Sequence, residues 1–247
     1  MPYAGQAGQN RRASAAVLMK EDEFVKKNAY VFVDDFGHPK DKFIPIVPLI
    51  FDYDEWHVCV MDGVDSICLM ANAPDLIVSF KMGNSGIVYD RPSWYETSAF
   101  TYQWMRWVRE EGMGLLLIHS GLPGIPPDHP VMLEGARGYF AGHKQLGPMH
   151  VEPEPVDHPI VRGVQAFDTP VDEHFEIGGF HEDNTVLAFS TSDRSPRQPA
   201  AWCHEPGNGR VAVLCPGHAT AGNETLRHPE MVKMMRNAVR WCGGEEE

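Results

Sequence analysis

A doubly wound α/β fold with a mostly parallel sheet is predicted by three features of this 247-residue sequence. Short apolar runs flanked by turn residues recur at 29–33 (AYVFV), 57–61 (HVCVM), 76–80 (LIVSF) and 115–119 (LLLIH), as expected of parallel strands buried on both faces. An amphipathic helix lies between the third and fourth runs, so strands alternate with helices. Further strand-like runs at 171–177, 185–189, 200–204 and 210–215 follow, the last two joined by Pro206-Gly207-Asn208-Gly209. That hairpin signal adds antiparallel strands to the sheet.

Residues 1–28 lack a sustained apolar period and are expected to form an extension, with a short helix over 15–27. The domain itself is expected over 29–244. The amphipathic helix covers 94–111: Phe100, Trp104, Trp107 and Val108 fall at i, i+4, i+7 and i+8, and Gly112 is placed to end it. Residues 120–170 are rich in Pro and Gly (GLPGIPPDHP, GHKQLGP, EPEPVDHP) and are expected as long loops that wall or cover a site. The last helix starts with Pro229 at its first position and Glu230 in its first turn, buries Val232, Met235, Val239 and Cys242, and stops at Gly243. Residues 245–247 are expected as a solvated acidic tail.

Composition narrows the function classes. No apolar stretch approaches the roughly 18 residues of a membrane span. The balance of 21 Lys+Arg against 34 Asp+Glu, net −13, repels a phosphate backbone or an anionic membrane surface, so neither nucleic acid nor membrane is an expected partner. The five cysteines (Cys59, Cys68, Cys203, Cys215, Cys242) are odd in number and form no CxxC pair, which reads as reduced thiols of a cytoplasmic protein. After Arg11-Arg12 the apolar run is too short for an export signal. A 27.6 kDa chain buries enough surface to need no structural metal, so any metal would serve chemistry.

The 12 histidines carry the strongest site signal. His38, His119 and His218 follow the first, fourth and last core strands, and strand ends in this architecture converge on one crevice. Two carboxylate groups accompany them: Asp34-Asp35, which could instead cap a helix, and Asp172-Glu173, which could instead be a solvated strand entry. His143 sits in the Pro/Gly-rich wall. Imidazoles with a carboxylate suit a divalent metal such as zinc, or metal-free acid/base work near neutrality. His38, Asp35, Lys81, Ser120 and His143 are the expected substrate contacts. Residues 117–121 read LIHSG rather than GxSxG, which disfavours a Ser120 nucleophile. Gly83-Asn84-Ser85-Gly86 lacks either phosphate-loop pattern, so no nucleotide cofactor is predicted.

Four segments, EGMGLLLIHSG (111–121), VDHPIVRGV (156–164), DEHFEI (172–177) and residues 207–244 from GNGRVAVLCPGHATAGNETLRHP onward, resemble the trehalose-utilisation (ThuA-like) family. Similarity is looser over 29–110 and absent over 1–28. The resemblance implies a flavodoxin/amidotransferase-like topology, similar to class I glutamine amidotransferases. Those enzymes carry a catalytic Cys at the elbow after the fourth strand and a His partner on a late strand. Here the elbow holds His119-Ser120 and His218 takes the partner-like place, which argues against glutamine hydrolysis. What the family implies instead is a His and acidic pocket, linked to disaccharide and keto-sugar catabolism and sometimes seen with a metal. By motif match the carried-over residues are His119, His143, Glu173 and His218, and the same four form the expected metal set. A homo-oligomer is also implied.

The expected function is therefore an enzyme acting on a small sugar or keto-sugar by enolisation, isomerisation or elimination. His119 or His218 would move the proton and Glu173 would complete the catalytic group. Two other readings stay open: a metal-dependent hydrolase using the same ligands, and a non-catalytic carbohydrate-binding protein on this fold.

Overall fold

The computed structural model describes residues 25–35, 37–62, 72–82 and 103–245. Four strands of the first half, β1 (Lys27–Phe32), β2 (Trp56–Met61), β3 (Leu76–Ser79) and β4 (Gly114–Ile118), match the four predicted runs within about two residues. Five more follow: β5 (Tyr139–His143), β6 (Gly147–Pro153), β7 (Phe167–Asp172), β8 (Phe175–Gly178) and β9 (Thr185–Ser192). The last two are β10 (Ser195–His204) and β11 (Arg210–Leu214). A nine-stranded sheet runs in the order β2-β1-β3-β4-β11-β10-β9-β6-β7. From β2 to β11 neighbours pair parallel, and from β11 to β7 they pair antiparallel. The parallel half has the strand order of a flavodoxin-like doubly wound sheet, with its switch point between β1 and β3.

Every residue of β3 and β4 is buried, because both faces of the sheet are covered. Alternate residues enter two cores. Leu116 and Ile118 face the helices α1 (Lys40–Phe43), α2 (Val47–Ile50) and α3 (Pro229–Cys242), packing in one cluster with Phe43, Ile46, Met231 and Met235. Leu115 and Leu117 belong to the opposite cluster with Trp104, Trp107 and Trp202. A two-sided core removes the alternation of a half-exposed sheet, which is why these strands read as continuous apolar runs.

The ends expected at Gly112, Pro229 and Gly243 are found. Gly112 takes φ 80°, a left-handed conformation that favours glycine, and closes the π-helical turn Trp107–Glu111. In α3, Pro229 is the first residue and the side chain of His228 caps the helix by accepting from the Glu230 N–H. Met235, Val239 and Cys242 are buried as expected, whereas Val232 is half-buried. The beginning of the 94–111 helix, residues 83–86 and Cys68 lie outside the described residues, as does most of the 15–27 helix, whose expected end is corrected because Lys27 already opens β1.

Three further expectations are corrected. Residues 120–170 are not mainly loop: β6 runs there with Gly147, Met149 and Val151 inward, an alternation that its prolines and glycine hide in the sequence. Residues 171–177 are not one strand, since β7 ends at Asp172 and β8 starts at Phe175 to pair with β5 in a separate two-stranded sheet. Glu245 is tethered rather than free, its carboxylate accepting from Arg240 Nε at 2.6 Å and its carbonyl from Arg210 Nη1 at 3.1 Å. Trp104 and Trp107 are core residues, so they offer no surface to an oligomer interface. Among the described residues no helix is long and apolar enough to cross a membrane.

Candidate functional site

The carboxyl ends of β1, β4 and β11 deliver His38, His119 and His218 to one point, as the strand-end argument requires. The three rings lie in mutual contact, with centroids 5.1 Å apart for His38 and His119 and 5.5 Å for the other two pairs. Glu173 reaches the same point from the segment between β7 and β8. Its Oε2 lies 3.3 Å from His119 Nε2, and its Oε1 lies 3.3 Å from His218 Nδ1 and 3.4 Å from His143 Nε2.

His119 occupies a strained elbow. Ile118 is extended, and His119 then takes φ 45° at the head of the turn His119–Gly121, a left-handed conformation that costs a non-glycine residue of order 1 kcal/mol or more. Its ring stacks on Phe175 at 4.6 Å, and its Nδ1 donates to the Cys215 carbonyl at 2.8 Å. With that proton spoken for, the Nε2 of the neutral ring carries a lone pair. His38 is oriented in the same way, its Nδ1 lying 2.8 Å from Asp35 Oδ1. Nε2 of His38, Nε2 of His119 and Nδ1 of His218 are all buried without a hydrogen-bond partner. The approaches to Glu173 are close in distance but lack hydrogen-bonding geometry. One donor atom from each of His38, His119, Glu173 and His218 falls within 4.8 Å of the others.

Burial pulls against charge on Glu173, His119 and His218, and the outcome differs from one to the next. For Glu173 burial is outweighed by His119, His218 and His143, which hold its carboxyl down at about 2. For His119 burial is outweighed by Glu173 and Asp172, so its pKa lies above the ordinary imidazole value. For His218 burial prevails over Glu173, with His119 and His38 adding repulsion, and its pKa is lowered.

The structure thus gathers four of the expected residues and redistributes the rest. The converging donors include His38 rather than His143. His143, its side chain 35% exposed, meets the same Glu173 oxygen as His218 and directs Nδ1 to the Lys144 carbonyl. Asp35, an expected substrate contact, spends its carboxylate on support within the fold. Its side chain is fully buried and accepts from the N–H groups of Gly37, His38 and Met82 as well as from the His38 ring. Asp34 performs the capping alternative, accepting from the Lys40 N–H at the start of α1. Lys81 is buried and donates to the Asp34 carbonyl. Ser120 is fully buried and donates its hydroxyl to the Phe80 carbonyl, so its proton is used within the fold. Sequence reasoning missed the parts played by Phe175 and Asp172. Asp35 three residues before His38 was a readable signal for the ring support.

The family described as trehalose utilisation, ThuA, matches residues 95–242, which include His119, His143, Glu173 and His218. The chain belongs to the ThuA family. A ThuA-like protein from Parabacteroides merdae shares its fold at 14% identity and a TM-score of 0.71, over 89% of this chain and 91% of that one. A glutamine amidotransferase from Thermotoga maritima gives 11% identity and 0.54, over 90% and 100%. A protein from Salmonella typhimurium described as cytoplasmic gives 14% and 0.56, over 87% and 99%. At such identities the likeness is one of fold. No curated protein matches the sequence. ThuA membership itself points to a carbohydrate-related role.

Proposed function

We propose that His38, His119, Glu173 and His218 hold a divalent cation, zinc by their donor chemistry, and that the protein uses this centre on a sugar or keto-sugar. The observation that carries the reading is the trio of buried imidazole nitrogens that accept or donate no hydrogen bond, two of them 3.3 Å from an ionised carboxylate. Each such group left unsatisfied costs about 1–3 kcal/mol, and a cation removes that cost. The donor atoms are near enough to converge on one ion: one from each residue lies within 4.8 Å of the others, and the two Glu173 oxygens stand 3.3 Å from His119 and His218 respectively. Hydrogen bonds from the far nitrogens of His38 and His119 to Asp35 and Cys215 are the outer support that metal-binding imidazoles usually have.

A cation bound here would supply Lewis-acid polarisation of a sugar oxygen or a water of lowered pKa. The chain's own groups do the rest. Phe175, buried and stacked on His119, and Phe140, with ring centroids 4.6 Å apart, back the imidazole with apolar surface. His143, outside the ligand set and open to solvent, is the group we assign to proton transfer with the substrate. Family membership supports the substrate class.

A second reading rests on the paired shifts of His119 and Glu173: as an ion pair they exchange a proton beside a substrate carbonyl without a cation. Metal analysis and turnover of a keto-sugar panel, for the wild type, chelated protein and His119→Ala, separate the readings. The cation reading expects about one zinc per chain, lost in His119→Ala, with turnover lost on chelation and regained with zinc. Full turnover in chelated protein overturns it in favour of the ion pair. Binding without any product leaves a carbohydrate-binding protein.

A further inference from the structure

The four proposed ligands come from two unlike parts of the sheet. His38, His119 and His218 follow neighbouring strands of the parallel half, whereas Glu173 follows β7, at the far edge of the antiparallel half, and precedes β8, which has left the sheet to pair with β5. Strand order alone does not align Glu173 with the imidazoles. Asp172, the last residue of β7, makes the connection. It is 0% exposed. Its Oδ1 accepts from the backbone N–H of Glu173 at 2.7 Å and of His218 at 3.1 Å, and its Oδ2 accepts from the N–H of Gly217 at 3.0 Å. One carboxylate is therefore bonded to the main chain of two ligand residues on two separate limbs.

Such a group is costly to bury unless its oxygens are satisfied, and three backbone N–H groups meet that need here. The turn it holds has little room to shift. Gly217 takes φ 139°, and a Cβ on it would stand 3.0 Å from Leu226 and 3.4 Å from the Cβ of His119. Asp35 plays a narrower part, tying His38 to the end of β3 through the Met82 N–H.

We propose that Asp172 is the positioning residue of the centre, the group that sets Glu173 and His218 in register with each other without binding the cation. The inference rests on the cation reading above. Its test is Asp172→Asn, which keeps the size but turns one acceptor into a donor facing an N–H. Zinc affinity, measured by chelator competition, should weaken about 10–100-fold, and the ligand-field spectrum of the cobalt(II)-loaded protein should change, with far-UV circular dichroism unaltered. Val151→Ala, a core change in β6, should leave both the affinity and the spectrum as in the wild type. Unchanged affinity and spectrum in Asp172→Asn overturn the positioning role, as does an equal change in Val151→Ala. A wild type that takes up neither zinc nor cobalt overturns instead the cation reading on which it rests. If Asp172→Asn does not fold, hydrogen exchange of the wild type decides: the amides of Gly217 and His218 should be protected, and free exchange at both refutes the inference.

Discussion

Replacing Glu173 with Gln tests the electrostatics of the pocket. In the metal-free protein the Glu173 carboxyl is held at about 2, against an ordinary value of 4.5. A depressed acid stabilises the fold above its unfolded pKa, and that stability is lost as pH falls toward the folded value. For His119, whose pKa is raised above 6.5, the sign is opposite: its contribution is full below 6.5 and is lost as pH rises through the folded value. The pair therefore contributes most between about pH 4.5 and 6.5. At about 1.36 kcal/mol per pH unit the Glu173 shift is worth at most about 3 kcal/mol, and by linkage about 2 kcal/mol of it is gone at about pH 3. The side chain is 13% exposed, so solvent screens it little. Urea unfolding of chelator-stripped wild type and Glu173→Gln at about pH 6 and about pH 3 reads this difference, because acid effects from groups not coupled to Glu173 cancel between the two proteins. Wild-type stability should fall toward, or further below, that of the variant by about 2 kcal/mol at the lower pH. A stability difference that does not move with pH refutes the reasoning.

Two further outcomes are expected. Ser120→Ala should cost about 1–3 kcal/mol in thermal unfolding, because the Phe80 carbonyl loses its buried donor, while zinc affinity and turnover stay near wild type; loss of turnover with stability intact would restore Ser120 to the chemistry. Among the described cysteines only Cys59 is exposed. Burial pushes the Cys203 thiol up to about 12 and raises Cys215 and Cys242 well above the ordinary range. A mild thiol reagent followed by peptide mass spectrometry should therefore find Cys59 modified in the native protein and those three intact; labelling of Cys215 before unfolding contradicts the packing described.

The parallel half of the fold was readable because a sheet covered on both faces writes itself as uninterrupted apolar runs, and Leu115–Ile118 is such a run. The antiparallel limb was harder. Pro148 and Pro153 in β6 and Gly142 in β5 mask strands whose order is fixed by pairing with distant residues rather than by local pattern. The same distinction governs the site. His119 and His218 announce themselves at the ends of recognisable strands, and so does His38. Choosing His38 over His143 as a donor depends on where the pairing of β5 with the distant β8 sets the His143 ring, which spacing along the chain does not encode. Nor does the sequence separate Asp172 from Glu173: adjacent acids of similar chemistry take different roles because one ends a strand facing the Gly217 turn and the other begins the loop into the pocket.

X-ray absorption at the zinc edge, on protein loaded with zinc and dialysed, tests the central claim most directly. The account expects one zinc per chain with three imidazole nitrogens and a carboxylate oxygen at about 2.0–2.1 Å, reduced to two imidazoles in His38→Ala and unchanged in ligand number in His143→Ala. Zinc that washes away, or a spectrum that loses an imidazole in His143→Ala but not in His38→Ala, contradicts it.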